Sequence, residues 1–128
     1  MNVRMAIVIG GALGALSRYG LSRLFPYHLH GAWPWATFIC NITGSFALGL
    51  LFAAVVRYGL SSIWREAIGT GFIGAYTTFS AFSLEVFQLF RDGAIGVALM
   101  YSAGSMLMAA VAAAVGPVLL PPRMKEEA

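Results

Sequence analysis

The sequence lacks most of what an enzyme or a soluble domain needs. Cysteine occurs once, at Cys40, so no intrachain disulfide can form and compartment cannot be read from cysteine usage. A buried structural thiol is the plain reading of that residue. The only histidines, His28 and His30, lie in a short connection without partners at metal-ligand spacing. No nucleophile has an accompanying base, and no loop is built to cradle phosphate, so no catalytic constellation is present. Charge is scarce as well. Only 10% of the residues are charged, and the net +3 is scattered near helix ends. That pattern argues against nucleic acid and suits membrane topology or lipid headgroups.

What fills the space is hydrocarbon. With 59% hydrophobic residues and a mean hydropathy of +0.80 over 128 residues, the chain is too apolar for a soluble domain. A spanning helix needs about 20 mostly apolar residues. Four stretches qualify: 5–25, 33–58, 67–90 and 94–120. The connections "PYHLHGA", "GLSSIWRE" and "RDG" hold the prolines, glycines and charges that end helices. The expected architecture is therefore an all-α membrane protein, one four-span domain over 1–128. The first stretch runs past Arg18 to an aromatic end at Phe25, unlike a signal peptide, and is expected to be retained.

Charge placement bears on topology. With four spans, one side holds Arg4, Arg57, Arg65, Arg123 and Lys125, and the other holds Arg23 and Arg91, with Arg18 added if it snorkels outward. The positive-inside rule works on a clear excess, which five against two or three does not give. Such a chain is suited to insertion both ways. Membrane proteins built from inverted repeats place their site at the repeat interface. No internal repeat is visible here, and an antiparallel homodimer would supply the missing half.

Each stretch carries a small or polar face. Gly10, Gly14 and Arg18 follow one another at intervals of four, along one side of a helix. Small residues so spaced permit close packing in lipid. Arg18 reads as a headgroup anchor or as vestibule lining, because a cation within a span must snorkel or face water. In "TFICNITGS", Thr37, Asn41 and Ser45 form a second stripe. Asn41 offers two donors either to an anion or to a neighbouring helix, and interhelical glue of that kind contributes only about 0.6–2 kcal/mol.

The third stretch contains "GAYTTFSAFS", where Gly74, Thr77, Thr78, Ser80 and Ser83 surround Phe79 and Phe82. A helix broken there would free backbone carbonyls, which are suitable ligands for sodium where protein or a cavity shelters them. The rings have positive edges that can face an anion, or they simply pack. Glu85, one turn further on, is expected in an aqueous vestibule or as a cap on the serines. In the fourth stretch Tyr101 and Ser105 share a face. Their alternative is local, since serine hydroxyls commonly bond the backbone one turn earlier.

The runs "GFIGAYTTFSAFSLE", "GGALGALSRY" and "NITGSFALG" together resemble the Fluc (CrcB) fluoride channels, over all four stretches and in order. The resemblance implies an antiparallel, dual-topology homodimer in a bacterial inner membrane, with two fluoride pores and a central structural sodium ion at a break in the third helix. By motif position it implies Gly74 and Thr77 as the sodium-carbonyl residues, and Phe79 and Phe82 as ring edges along the pores. Asn41 matches the pore asparagine, and Thr37, Ser80, Tyr101 and Ser105 fall where polar pore lining is expected. Arg18 would make the vestibule positive. The sequence departs from the pattern at Ala109, where some relatives carry serine.

The implied activity is passive fluoride efflux that protects a cytoplasm. A small, strongly hydrated anion needs donors in place of lost water, and no site may bind it too tightly. Two other classes compete. A proton-coupled small multidrug exporter would carry a carboxylate in its first span, and none lies between Met5 and Phe25. A non-transporting assembly subunit would use the polar stripes only as helix glue.

Overall fold

The computed structural model describes residues 2–27 and 32–121. His28, His30, Arg123 and Lys125 lie outside the described residues, so their expected places in a connection and in the charge count are not addressed further. All regular elements among the described residues are helical. α1 (Val3–Leu24) starts where Asn2 accepts the Met5 amide at 2.8 Å, which satisfies one of the unpaired N–H groups of a helix start. α2 (Trp35–Tyr58) follows Pro34 and ends at Gly59, whose φ of 65° is the left-handed conformation that closes helices. The last helix is α6 (Ile95–Val115), extended by a 3-10 turn (Gly116–Leu119).

The third hydrophobic stretch is not one helix. It opens as α3 (Ser62–Arg65), widens into a π-helix (Glu66–Ile73), returns to α4 (Gly74–Tyr76) and then stops. Thr77 (ψ 158°) and Thr78 (φ −151°, ψ 125°) are extended, and α5 (Phe79–Arg91) begins after them. The interruption lies inside the hydroxyl-rich run. π-helices are rare and concentrate at functional sites. Only α1, α2 and α6 with its 3-10 extension are long and apolar enough to cross a bilayer as continuous helices. α5 has 13 residues; at 1.5 Å per residue it is about 20 Å long, short of the ~30 Å hydrocarbon core.

Packing is in two pairs. α1 lies along the π-helix and α4, and α2 lies along α6. A Cβ at Gly10 would run into the Ala67 carbonyl, and one at Gly14 into the Phe72 carbonyl. The glycines thus set the distance between α1 and the third segment. A small core of Phe82, Leu89, Ala98 and Tyr101 joins α5 to α6, with Trp33 edge-on to Tyr101 at 5.4 Å. Outside this core large apolar side chains such as Leu16, Val56 and Met100 are exposed. In water each would forgo about 1.5–3 kcal/mol of burial, so lipid or another chain must cover them.

Candidate functional site

The break is held open by side chains. Asn41 Oδ1 accepts the Thr78 N–H at 2.8 Å, and Asn41 Nδ2 donates to the Thr78 carbonyl at 2.9 Å. Because only the amide oxygen can accept the N–H, this pairing fixes which way the carboxamide faces. Thr78 Oγ1 in turn accepts the Ala81 N–H at 3.2 Å and caps α5. In an uninterrupted α-helix the amides of Thr78 and Ala81 would serve the carbonyls four residues back, at Gly74 and Thr77. Both amides are diverted.

Gly74 and Thr77 are the residues whose carbonyls the sequence resemblance implies for sodium, and here they lack the donors that a regular helix supplies. Backbone carbonyls at helix interruptions are suitable sodium ligands. No cluster of His, Cys, Asp and Glu that could hold a metal exists among the described residues, so such a cation would rest on main-chain oxygen. Of the two carbonyls between them, that of Ala75 is treated differently. Arg18 Nε donates to the Ala75 carbonyl at 3.1 Å. One nitrogen of Arg18 is therefore committed to the backbone of the break.

Two cavities flank the break. The inner one, about 290 Å³, is lined by Asn41, Thr77, Phe79, Phe82, Ser105 and Ala109 among others, and no charged side chain touches it. The outer one, about 300 Å³, is lined by Arg18, Tyr27, Thr37 and Glu85. Thr78 lines both. In the inner cavity Ser105 is buried and its Oγ has no partner. Ser102 and Ser83 do bond the backbone one turn earlier, at 2.7 and 2.9 Å, so the local alternative holds for them and not for Ser105. Asn41 keeps a second amide N–H beyond the one given to Thr78. Phe82 is buried and Phe79 is 74% exposed, with ring centroids 5.8 Å apart. Lying three apart in sequence did not give the two rings equal surroundings.

In the outer cavity Arg18, Thr37 and Glu85 are engaged, while the Tyr27 hydroxyl is buried without a partner. Thr37 Oγ1 donates to Glu85 Oε1 and the Tyr101 hydroxyl to Glu85 Oε2, both at 2.6 Å. Glu85 lines this cavity, as a vestibule residue would, but caps no serine. Its carboxylate joins α2, α5 and α6. Tyr101 is fully buried and reaches neither cavity, and Ser80 sits at the surface with its Oγ 3.2 Å from Thr78 Oγ1. Of the expected site residues, the inner cavity gathers Asn41, Thr77, Phe79, Phe82 and Ser105, and Arg18 and Thr37 line the outer one. Sequence reasoning missed Thr78 as the keystone of the break. The available signal was a threonine directly before a helix start, the usual N-cap pattern.

Long apolar helices with exposed apolar flanks, an interrupted segment and an uncharged cavity with unspent donors define a multi-pass membrane protein with a polar site in its interior. The model of the family described as CrcB-like protein, Camphor Resistance (CrcB), matches residues 5–117. The chain is 40% identical over 114 residues to a protein named fluoride-specific ion channel FluC from Acidobacterium capsulatum, covering 88% of this chain and 91% of that one. A protein of the same name from Hyphomonas neptunium is 41% identical over 118 residues, covering 91% and 93% of the two chains. Another from Thermus thermophilus is 38% identical over 108 residues, covering 84% and 86%. The chain belongs to the CrcB family.

Proposed function

We propose that this chain is a fluoride channel, not an enzyme, and that the inner cavity is part of its anion path. The observation that carries this reading is the pair of unspent donors in an uncharged cavity: Ser105 Oγ without a partner and the second N–H of Asn41. An unpaired buried donor costs about 1–3 kcal/mol, a cost that a passing anion would relieve. The names of the relatives support fluoride as that anion. A small, strongly hydrated anion needs donors in place of its lost water, and the Ser105 hydroxyl, the Asn41 amide and the positive edge of Phe82 would supply them. Transport is passive, since an ion bound weakly at successive sites leaves down its gradient. In a bacterial inner membrane the result is fluoride efflux and a less toxic cytoplasm.

Three further elements belong to the reading. The segment from α3 to α5 crosses the membrane as a fourth, broken span, its freed backbone groups sheltered by Asn41, Thr78 and Arg18. The chain works as an antiparallel homodimer with both orientations in one membrane. The exposed face of Phe79 beside the inner cavity is where a second copy would complete the wall, and the near balance of arginines supports dual insertion. A structural sodium ion rests on the Gly74 and Thr77 carbonyls. When bound, it would supply fixed positive potential near the anion path.

Purified protein in liposomes loaded with fluoride tests the proposal. Fluoride should leave rapidly once a permeant cation pathway is opened, with chloride retained. Equal release of both anions, or of neither, would sink the reading. Single cysteines in the Arg91–Gly93 turn should label from both sides of the membrane in intact cells, and one-sided labelling would reject dual insertion.

A further inference from the structure

We infer that Arg18 is a positioning residue for the helix break as well as a charge lining the outer cavity, and this rests on the sodium-bearing reading of the break given above. Three neighbouring carbonyls at the break have lost or changed their helical donors. Those of Gly74 and Thr77 are left because Asn41 and Thr78 take the amides that would have served them. Ala75 lies between, and its carbonyl receives Arg18 Nε at 3.1 Å. The protein thus provides one cation of its own to the turn and leaves the flanking oxygens to others. Arg18 decides which carbonyl of the turn is unavailable.

The reach of Arg18 is fixed by the backbone that carries it. Gly14 and Gly10, one and two turns earlier on the same face, seat α1 against Phe72 and Ala67 without room for a methyl group. The guanidinium then meets the third residue after Phe72, donating to the carbonyl of Ala75, 57 residues away in sequence. A guanidinium holds such a bond through a rigid planar fork, whereas an ammonium on a flexible stem keeps the charge but not the Nε–H. The same guanidinium lines the outer cavity. Arg18→Lys therefore separates the two roles: it preserves a positive vestibule and removes the Nε–H that meets Ala75.

Ala75–Tyr76 is the only Ala–Tyr pair in the sequence, so carbonyl-labelled alanine with amide-labelled tyrosine isolates the Ala75 peptide in the full-length protein by NMR. Positioning predicts that Arg18→Lys moves the Ala75 carbonyl resonance upfield as the bond is lost. It also predicts that the sodium concentration needed to hold the assembled species on size exclusion rises about tenfold, the equivalent of one charged hydrogen bond. Arg18→Gln should move the carbonyl resonance in the same direction. An unchanged Ala75 resonance in both variants would overturn the inference and return Arg18 to vestibule electrostatics. If wild-type assembly ignores sodium altogether, the sodium reading fails, while the carbonyl resonance still decides whether Arg18 holds Ala75.

Discussion

The two cavities either side of Thr78 are nearly equal in size, about 290 and 300 Å³, and each holds one buried hydroxyl without a partner, Ser105 in the inner and Tyr27 in the outer. Yet only the outer one is lined by charge, at Arg18 and Glu85. In the outer one the Thr37 hydroxyl is committed to Glu85, which Tyr101 also holds from behind the cavity, and Arg18 Nε to a carbonyl. In the inner one Ser105 is uncommitted, on the same helix as Ser102, whose hydroxyl is bonded to Ala98. Burying an unpaired donor is costly, and native interiors rarely do so without a reason. The idle hydroxyl of Tyr27 shares its cavity with an arginine and a carboxylate, whereas that of Ser105 has no charged neighbour in its lining.

The sharpest way to break this contrast is at Asn41, which holds Thr78 and lines the inner cavity. Asn41→Asp places a carboxylate against the Thr78 carbonyl and beside the proposed anion path. Fluoride efflux should be abolished, and stability in a denaturation series should fall by about 1–3 kcal/mol. Full flux with unchanged stability would show that neither the cradle nor the donor matters. Next in size is Phe82→Ile, which removes the ring edge from the inner cavity and keeps an apolar side chain. Efflux should drop at least tenfold with assembly retained on size exclusion; wild-type efflux would return Phe82 to packing with Leu89 and Tyr101.

On the outer side, Tyr101→Phe tests commitment to structure. It strips one partner from Glu85 Oε2, and the melting transition should fall by the equivalent of about 1–3 kcal/mol. An unchanged transition would mean that this hydroxyl is as idle as that of Ser105. Ser102→Ala should have the smallest effect of all, since it removes only a bond to its own helix.

The sequence made the local features legible and left the long-range ones hidden. Apolar length marked 5–25, 33–58 and 94–120, against helices at Val3–Leu24, Trp35–Tyr58 and Ile95–Val115 with its 3-10 extension. Spacing by four placed Gly10, Gly14 and Arg18 on one face, and all three meet the third segment. The break was legible too, because glycine and paired threonines weaken a helix locally. The π-helix was not, since Glu66–Ile73 has no compositional mark that separates a wide turn from an ordinary one. Nor could periodicity join Glu85 to Thr37, 48 residues away, or Asn41 to Thr78, 37 away, because such pairs are set by helix packing. Phe79 and Phe82 show the limit most simply: a shared face says nothing of which ring the next helix covers.

The most direct test of the unspent-donor claim is fluoride efflux from liposomes for Ser105→Ala measured beside Ser102→Ala. The Ser105 hydroxyl has no partner in the folded chain, so its loss should not lower the melting transition. Removal of an unpaired buried donor should raise it, while fluoride slows several-fold, as expected for about 1 kcal/mol of lost anion contact. Ser102→Ala should match the wild type. Equal efflux from the two variants would contradict the account, because the idle hydroxyl would then be serving no ion.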